Sequence, residues 1–234
     1  MIHSSYDKLD TNVDILLDLP FREGVGAVTA DLAKPHHPVA LKNTPTWEQL
    51  ESLVGVITFD GAAEYLDCAA ASAADLDFTS GDYSIGCWLK WSSEDESQIV
   101  IGRYVVDTSG WENYLYEGDT TRLLTTRHHH AAGDAVRTAC YSGGWTQDVW
   151  WFLGISRSGS SVTHYRNGEA LSMSCSAGGI VDPESNSSDL VVGVRTTKDD
   201  NYFNGSMYRM RVWSRAIELA EWARIYDHEK HWFE

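Results

Sequence analysis

The chain has 234 residues, 43% hydrophobic and 12% aromatic, which is enough to bury one sizeable core and excludes a low-complexity or disordered protein. Asp and Glu number 34 against 18 for Lys and Arg, a formal charge of -16, and no basic stripe interrupts that balance, so a nucleic-acid partner is excluded. No stretch is long and uncharged enough to span a bilayer, and MIHSSYDKLDTNVDILLDLPF lacks the basic-then-apolar order of a secretory signal, so neither membrane insertion nor an export signal is expected.

Residues 1–12 are polar and read as an N-terminal arm, with a single domain over 13–234. From there to about residue 213, short apolar runs alternate with polar positions and are separated by Gly, Ser, Asp and Asn clusters, which is the pattern of an all-β sandwich. Two polar, Pro-containing loops are expected near 30–45 and 181–189. Thr46-x-x-Gln49 has the form of a capping box and predicts a short helix. In YSIGCWLKW, residues Tyr83, Ile85, Cys87, Leu89 and Trp91 share one face. Further strands are expected from Ser97, Trp111, Thr121, Ala135, Val149, Ser161 and Asp189. Hairpin turns are predicted at Asn167-Gly168 and Asn204-Gly205, because a two-residue turn with positive φ favours Asn-Gly. A last helix, capped by Ser214 and running to His228, is predicted to place Ile217, Ala220, Ile225 and Tyr226 on one side.

The order of these motifs resembles the laminin-G-like branch of the concanavalin A-like lectin/glucanase superfamily. The residues that carry the likeness are Phe59-Asp60-Gly61 followed by Ala63-Glu64-Tyr65-Leu66, then FTSGDYSIGCWLKW with Trp88 in the tryptophan place. Trp150-Trp151-Phe152-Leu153 leading to Tyr165-Arg166-Asn167-Gly168 comes next, and Phe203-Asn204-Gly205 with a strand into a short helix closes the series. The resemblance implies a jelly roll of two antiparallel sheets with one or two short helices, and ligand sites on rim loops or edges. It also implies that calcium, if held at the sandwich edge, would draw on Asp31, Asp60 and Asn204 for oxygens. The fold alone fixes no ligand.

Sugars present CH faces that stack on aromatic rings and hydroxyls that need hydrogen bonds. Trp111 and Trp145 follow glycine and are expected on loops, with Glu112, Asn113, Gln147 and Asp148 beside them as polar partners. The other tryptophans read as core or end packing. His36-His37 and His128-His129-His130 read as solvated loop histidines; His128 and His130 share a strand face but have no third ligand at recognisable spacing. Cys68, Cys87, Cys140 and Cys175 contain no C-x-x-C pair and read as buried free thiols. The sequons at Asn186 and Asn204 read as chance matches.

Glu94, Asp95 and Glu96 form a solvated acidic turn, and no paired-carboxylate strand, G-x-S-x-G, H-E-x-x-H or phosphate-binding loop is present, so no catalytic role is expected. The expected function is a non-catalytic surface recognition module that binds a glycan through rim loops, on a cell surface, outside the cell or on a virion. A second reading is a decoration or attachment component of a virus or phage particle that acts through protein–protein assembly, and an exposed sheet edge would permit a homo-oligomer. A glycoside hydrolase or lyase would require carboxylates paired in a cleft.

Overall fold

The computed structural model describes residues 10–92, 97–116, 123–140, 145–171, 173–174 and 179–234. Among these, seventeen strands, numbered in chain order, form two antiparallel sheets. The first sheet contains β1 (Ile15–Leu19), β4 (Thr46–Gln49), β5 (Gly55–Asp60), β7 (Tyr83–Trp91), β12 (Trp151–Ser158), β13 (Ser161–Arg166), β14 (Glu169–Ala170) and β17 (Asn204–Trp213). Its order is β14-β13-β12-β7-β17-β5-β4. Strand β17 pairs with β5 through Asn204 to Met207 and with β1 through Met210 to Trp213, so two strands share one edge end to end.

The second sheet contains β2 (Val28–Thr29), β3 (Val39–Lys42), β6 (Tyr65–Cys68), β8 (Gln98–Val105), β9 (Ser109–Tyr116), β10 (Leu123–His130), β11 (Gly133–Cys140), β15 (Met173–Ser174) and β16 (Leu190–Val192). Its order is β15-β11-β10-β9-β8-β16-β6-β3-β2. The all-β class and the two-sheet jelly-roll architecture implied by the sequence are what the chain adopts.

Period-two alternation explains how the layers meet. On β7, Tyr83, Ile85, Cys87, Leu89 and Trp91 enter the core between the sheets, where they join Trp111 and Leu115 of β9 and Leu124 of β10. The opposite face of β7 carries Trp88, which joins Phe152, Tyr165, Tyr208 and Trp213 in a second apolar layer. Helix α1 (Leu219–Glu229) covers that layer with Trp222 and Ile225. Each large apolar side chain taken from water in this way contributes about 1.5–3 kcal/mol.

The seat of Trp222 is made by absent side chains. A Cβ on Gly86 would lie 2.6 Å from Trp222 Cζ3, and one on Gly154 would lie 2.9 Å from Trp222 Cδ2. The indole N–H donates to Ser156 Oγ at 2.9 Å, and the ring meets Trp213 edge-on at 5.6 Å between centroids. The helix is also held by a buried charge. Glu229 accepts from Trp88 Nε1 at 2.9 Å and pairs with Arg211 at 2.9 Å and Arg209 at 3.3 Å, while Arg209 also binds the buried Asp18.

Several local expectations are corrected. Residues 46–49 are strand, not helix: Thr46 to Gln49 pair with β5, and the ladder overrides the capping-box pattern. Asn204-Gly205 opens strand β17, because a Cβ at Gly205 would sit 2.1 Å from the Lys90 carbonyl oxygen of β7. Asn167 and Gly168, with φ of 53° and 78°, do form the predicted hairpin turn. Ser214 does not cap α1; its hydroxyl donates to the Asp14 carbonyl, the helix starts at Leu219, and Ala220 is exposed. The expected loop near 181–189 is present and is pinned, since Asn186 is buried and donates to the Arg103 and Ser109 carbonyls. Residues 1–9 of the expected arm lie outside the described residues, whereas Asp10–Asn12 form a 3₁₀ turn and Thr11 accepts the Trp213 indole N–H at 2.7 Å. Cys68 and Cys87 are buried free thiols, and burial pushes Cys68 up to about 11; the side chains of Cys140 and Cys175 lie outside the description.

Adding one methyl group under Trp222 tests the seat. Gly86→Ala and Gly154→Ala should each lower the unfolding free energy by about 1–3 kcal/mol through overpacking. Urea titration should show a lower midpoint with an unchanged slope, and a midpoint equal to that of the parent would contradict the packing described.

Candidate functional site

The six residues chosen from sequence for ligand binding do not form one site. Trp111 is 0% exposed in mid-strand β9, its indole N–H donating to the Leu76 carbonyl at 3.0 Å and its ring packed on Phe78 and Tyr83. Trp145 is 2% exposed and meets Trp151 edge-on. Trp111 thus stands in a strand and not in a loop, Trp145 lies in a loop as expected, and neither ring offers a face to solvent. The glycine before Trp111 is required by close approach: at Gly110, φ is 91° and a Cβ would fall 1.8 Å from the Arg103 carbonyl oxygen. Asn113 is buried in the core beside Thr126, whose hydroxyl donates to its Oδ1 at 2.8 Å. Gln147 and Asp148 brace the end of β7, with Gln147 donating to the Ser92 carbonyl and Asp148 accepting the Ser92 hydroxyl.

Glu112 is 1% exposed and lies on the face turned away from the core, 3.2 Å from Arg127 and 3.5 Å from Arg195. Burial raises its pKa against the pull of Arg195 and Arg127. Arg127 also stacks over Tyr104 and Tyr114.

The oxygens expected for calcium are largely engaged within the chain. Asp31 accepts four N–H groups: the Asp18 and Ala33 amides on Oδ1, and the His37 amide and imidazole on Oδ2. A carboxylate has about four such positions, so none remains for an ion. Asp60 and Asn204 are brought opposite each other as β5–β17 partners, but Asp60 Oδ1 already accepts the amides of Ala62, Ala63 and Glu64.

The histidines are not all solvated. His37 is buried between two carboxylates, with Nδ1 2.7 Å from Asp31 Oδ2 and Nε2 2.9 Å from Asp75 Oδ1. His128 points into the core, where Nε2 lies 2.8 Å from the Tyr83 hydroxyl, and burial lowers its pKa to about 4. The acidic turn with Glu94, Asp95 and Glu96 lies outside the described residues.

A different part of the chain builds a cleft of about 630 Å³ on the outer side of the first sheet. Edge strand β4 supplies Trp47, Glu48 and Gln49, and the following turn supplies Ser52, Leu53 and Val54. Arg22 and Trp232 complete the walls, and the Tyr208 hydroxyl lies within, 3.2 Å from Arg22 Nη2. Trp47 is half-buried and fixed by its indole N–H donating to the Gly26 carbonyl at 3.0 Å. Trp232 is half-buried and meets Tyr208 edge-on. The volume lies in the range of small-ligand sites, and Trp232 beside Glu48, Gln49, Arg22 and a phenol gives stacking surface together with donors and acceptors, while Trp47 borders the cleft from β4 with its ring, like its partner Ile57, packed against the core between the sheets. Sequence reasoning missed this site because Trp47 sat in a segment that patterned as helix and Trp232 read as end packing.

These two sheets, with one helix on an outer face, define a concanavalin A-type jelly roll. The chain belongs to the Laminin_G_3 family of the concanavalin A-like lectin/glucanases superfamily, whose profile matches residues 61–221. No curated protein sequence matches it. Among solved structures it is similar to the binding domain of Paraclostridial Mosquitocidal Protein 1 (TM-score 0.71, 13% identity, covering 93% of this chain and 53% of that one). It is also similar to the receptor-binding domain of botulinum neurotoxin C/D mosaic serotype (TM-score 0.70, 13% identity, 93% and 52%). The serotype D ligand-binding domain in complex with N-acetylneuraminic acid gives a TM-score of 0.67 at 13% identity, over 93% and 52%. The chain thus spans about half the length of these domains. Most of the cleft lies outside the family match, since of its lining only Tyr208 falls within residues 61–221.

The His37 clamp has a signed pH dependence. Burial opposes charge on the ring, but hydrogen bonds and attraction from Asp31 and Asp75 outweigh it and leave the pKa raised from 6.5. The clamp therefore contributes fully below that unfolded value and is lost as pH rises through the raised one. The stability difference between the parent and His37→Gln should shrink as pH rises from 6 through the raised pKa in denaturant titrations; a difference that stays constant with rising pH would refute the clamp.

Proposed function

We propose that the protein is a non-catalytic recognition module that binds a glycan in the cleft between edge strand β4, the 52–54 turn and Trp232. The observation that carries this reading is the half-buried Trp232 with convergent polar groups around a cleft of about 630 Å³. Flat rings suit the CH faces of a sugar, while Arg22, Glu48, Gln49 and Tyr208 match its hydroxyls. Membership of a lectin/glucanase superfamily supports carbohydrate as the ligand class. The structural likeness to receptor-binding domains, one of them complexed with N-acetylneuraminic acid and another described as dependent on two ganglioside molecules for cell entry, agrees with that class.

Two features favour binding over hydrolysis. Glycoside hydrolysis uses two carboxylates flanking the scissile bond. Among the described lining residues, Glu48 is the only carboxylate. Elsewhere the buried carboxylates are committed: Asp18 to Arg209, Asp31 to His37, Glu112 to Arg127 and Arg195, and Glu229 to Arg209 and Arg211.

Purified protein should bind a defined set of glycans on a broad panel, equally with calcium and with chelator. Arg22→Ala and Trp232→Ala should each weaken binding about tenfold or more, which corresponds to at least ~1.4 kcal/mol, while circular dichroism shows the fold retained. Retention of full affinity in the folded double variant would move the ligand elsewhere, and absence of any glycan binding would turn the search to a protein partner.

A further inference from the structure

Of the three consecutive histidines, the middle one carries a feature that the glycan reading does not use. Inward-facing Leu124 fixes the parity of β10, so Arg127 and His129 project from the opposite, outer face. His129 is the register partner of Asp134 on β11, and its Nδ1 lies 2.8 Å from Asp134 Oδ1. Asp107 approaches the same point from the turn between β8 and β9, which is closed by the Thr108 amide donating to the Val105 carbonyl at 3.1 Å. One donor atom each from Asp107, His129 and Asp134 lie within 4.8 Å of one another.

We propose that Asp107, His129 and Asp134 form a binding site for a divalent transition-metal ion, with zinc the best match. Zinc bonds nitrogen and oxygen at about 2.0–2.2 Å, which sets ligand atoms roughly 3–4 Å apart, so shifts of about 1 Å close the three onto one ion. An imidazole with two carboxylates leaves a fourth position for water, and the imidazole disfavours calcium, which takes oxygens. Two of the ligands stand on paired strands, which fixes their separation before any ion arrives.

The surroundings are those of a supported ligand set. The Tyr104 hydroxyl donates to Asp134 at 3.0 Å and 3.2 Å, orienting that carboxylate as outer partners do in metal sites. Arg127 lies 3.8 Å from Asp134 Oδ2, but its charge is already matched by Glu112 at 3.2 Å. Asp107 is exposed and, among the described residues, has no hydrogen-bond or ion-pair partner, so it has no evident structural task. The competing account is a metal-free latch in which His129 and Asp134 simply close the β10–β11 hairpin.

Isothermal titration of the full chain with zinc chloride, and separately with calcium chloride, decides between them. The expected result is one saturable zinc site per chain, weakened at least tenfold by Asp107→Asn and by His129→Gln. A His228→Gln, His231→Gln double variant controls for zinc capture by the tail histidines and should leave the affinity unchanged. Asp107→Asn alters an exposed turn residue and carries the test if His129→Gln fails to fold. The proposal is overturned if the parent shows no stoichiometric zinc site, if Asp107→Asn keeps the parental affinity, or if calcium binds as tightly as zinc. None of these readouts involves a glycan, so the outcome is independent of the cleft.

Discussion

The structure depends on β7 being buried on both of its faces. One face of a sandwich strand ordinarily meets water, and here that face is closed by Trp222, which rests where Gly86 and Gly154 leave room for it. The two glycines therefore act as a socket, and the indole N–H, satisfied by Ser156, makes burial of the ring tolerable. Without that contact the large rings Trp88, Phe152, Tyr208 and Trp213 would form an exposed apolar patch, of the kind that promotes association.

The same contact positions the cleft. Glu229 ends the helix in a buried ion network with Arg209 and Arg211, and Trp232 follows within one 3₁₀ turn. A buried pair is costly to desolvate and is strongly destabilising when one partner is removed, so the network acts chiefly to fix where the tail lies. Across from Trp232, the β4–β5 hairpin places Glu48 by pairing it with Val56 of the outer layer, and is anchored on its inner face by Trp47, which pairs with Ile57 and bonds to Gly26. Both walls are thus set by backbone geometry, not by loops free to adjust, which limits the ordering entropy lost on binding.

Much of this architecture is legible in the sequence. The alternation in YSIGCWLKW gives β7 its boundaries, and the Asn167-Gly168 turn follows from its two positive φ values. The errors share a cause. Glycine was read as a sign of loops before Trp111 and of a turn at Gly205, yet both glycines lie in strands where a neighbouring carbonyl oxygen comes within about 2 Å of a would-be Cβ. A capping box is a four-residue signal, and the ladder of β4 on β5, an interaction with residues further along the chain, overrides it. The cleft was illegible for a related reason: Arg22, Trp47, Tyr208 and Trp232 share no motif, and only the sheet order brings them together. The parity of β10 likewise decides which histidine meets Asp134, and that parity is set by Leu124 entering the core.

Strand β17 has one further implication, for the course of folding. Because β1 pairs with its second half and the β4–β5 hairpin joins the first sheet through its first half, β1 has no sheet partner, and that hairpin no neighbour beyond itself, until residues 204–213 have left the ribosome. Pairings of such long sequence separation close large loops and slow the search for the native state. During synthesis β1 and the free edge of the β4–β5 hairpin that carries Trp47 wait without their β17 partner, a condition in which nascent chains are prone to aggregate. The recognition cleft is therefore among the last parts of the molecule to be completed, and only chains whose final strand has docked can present it.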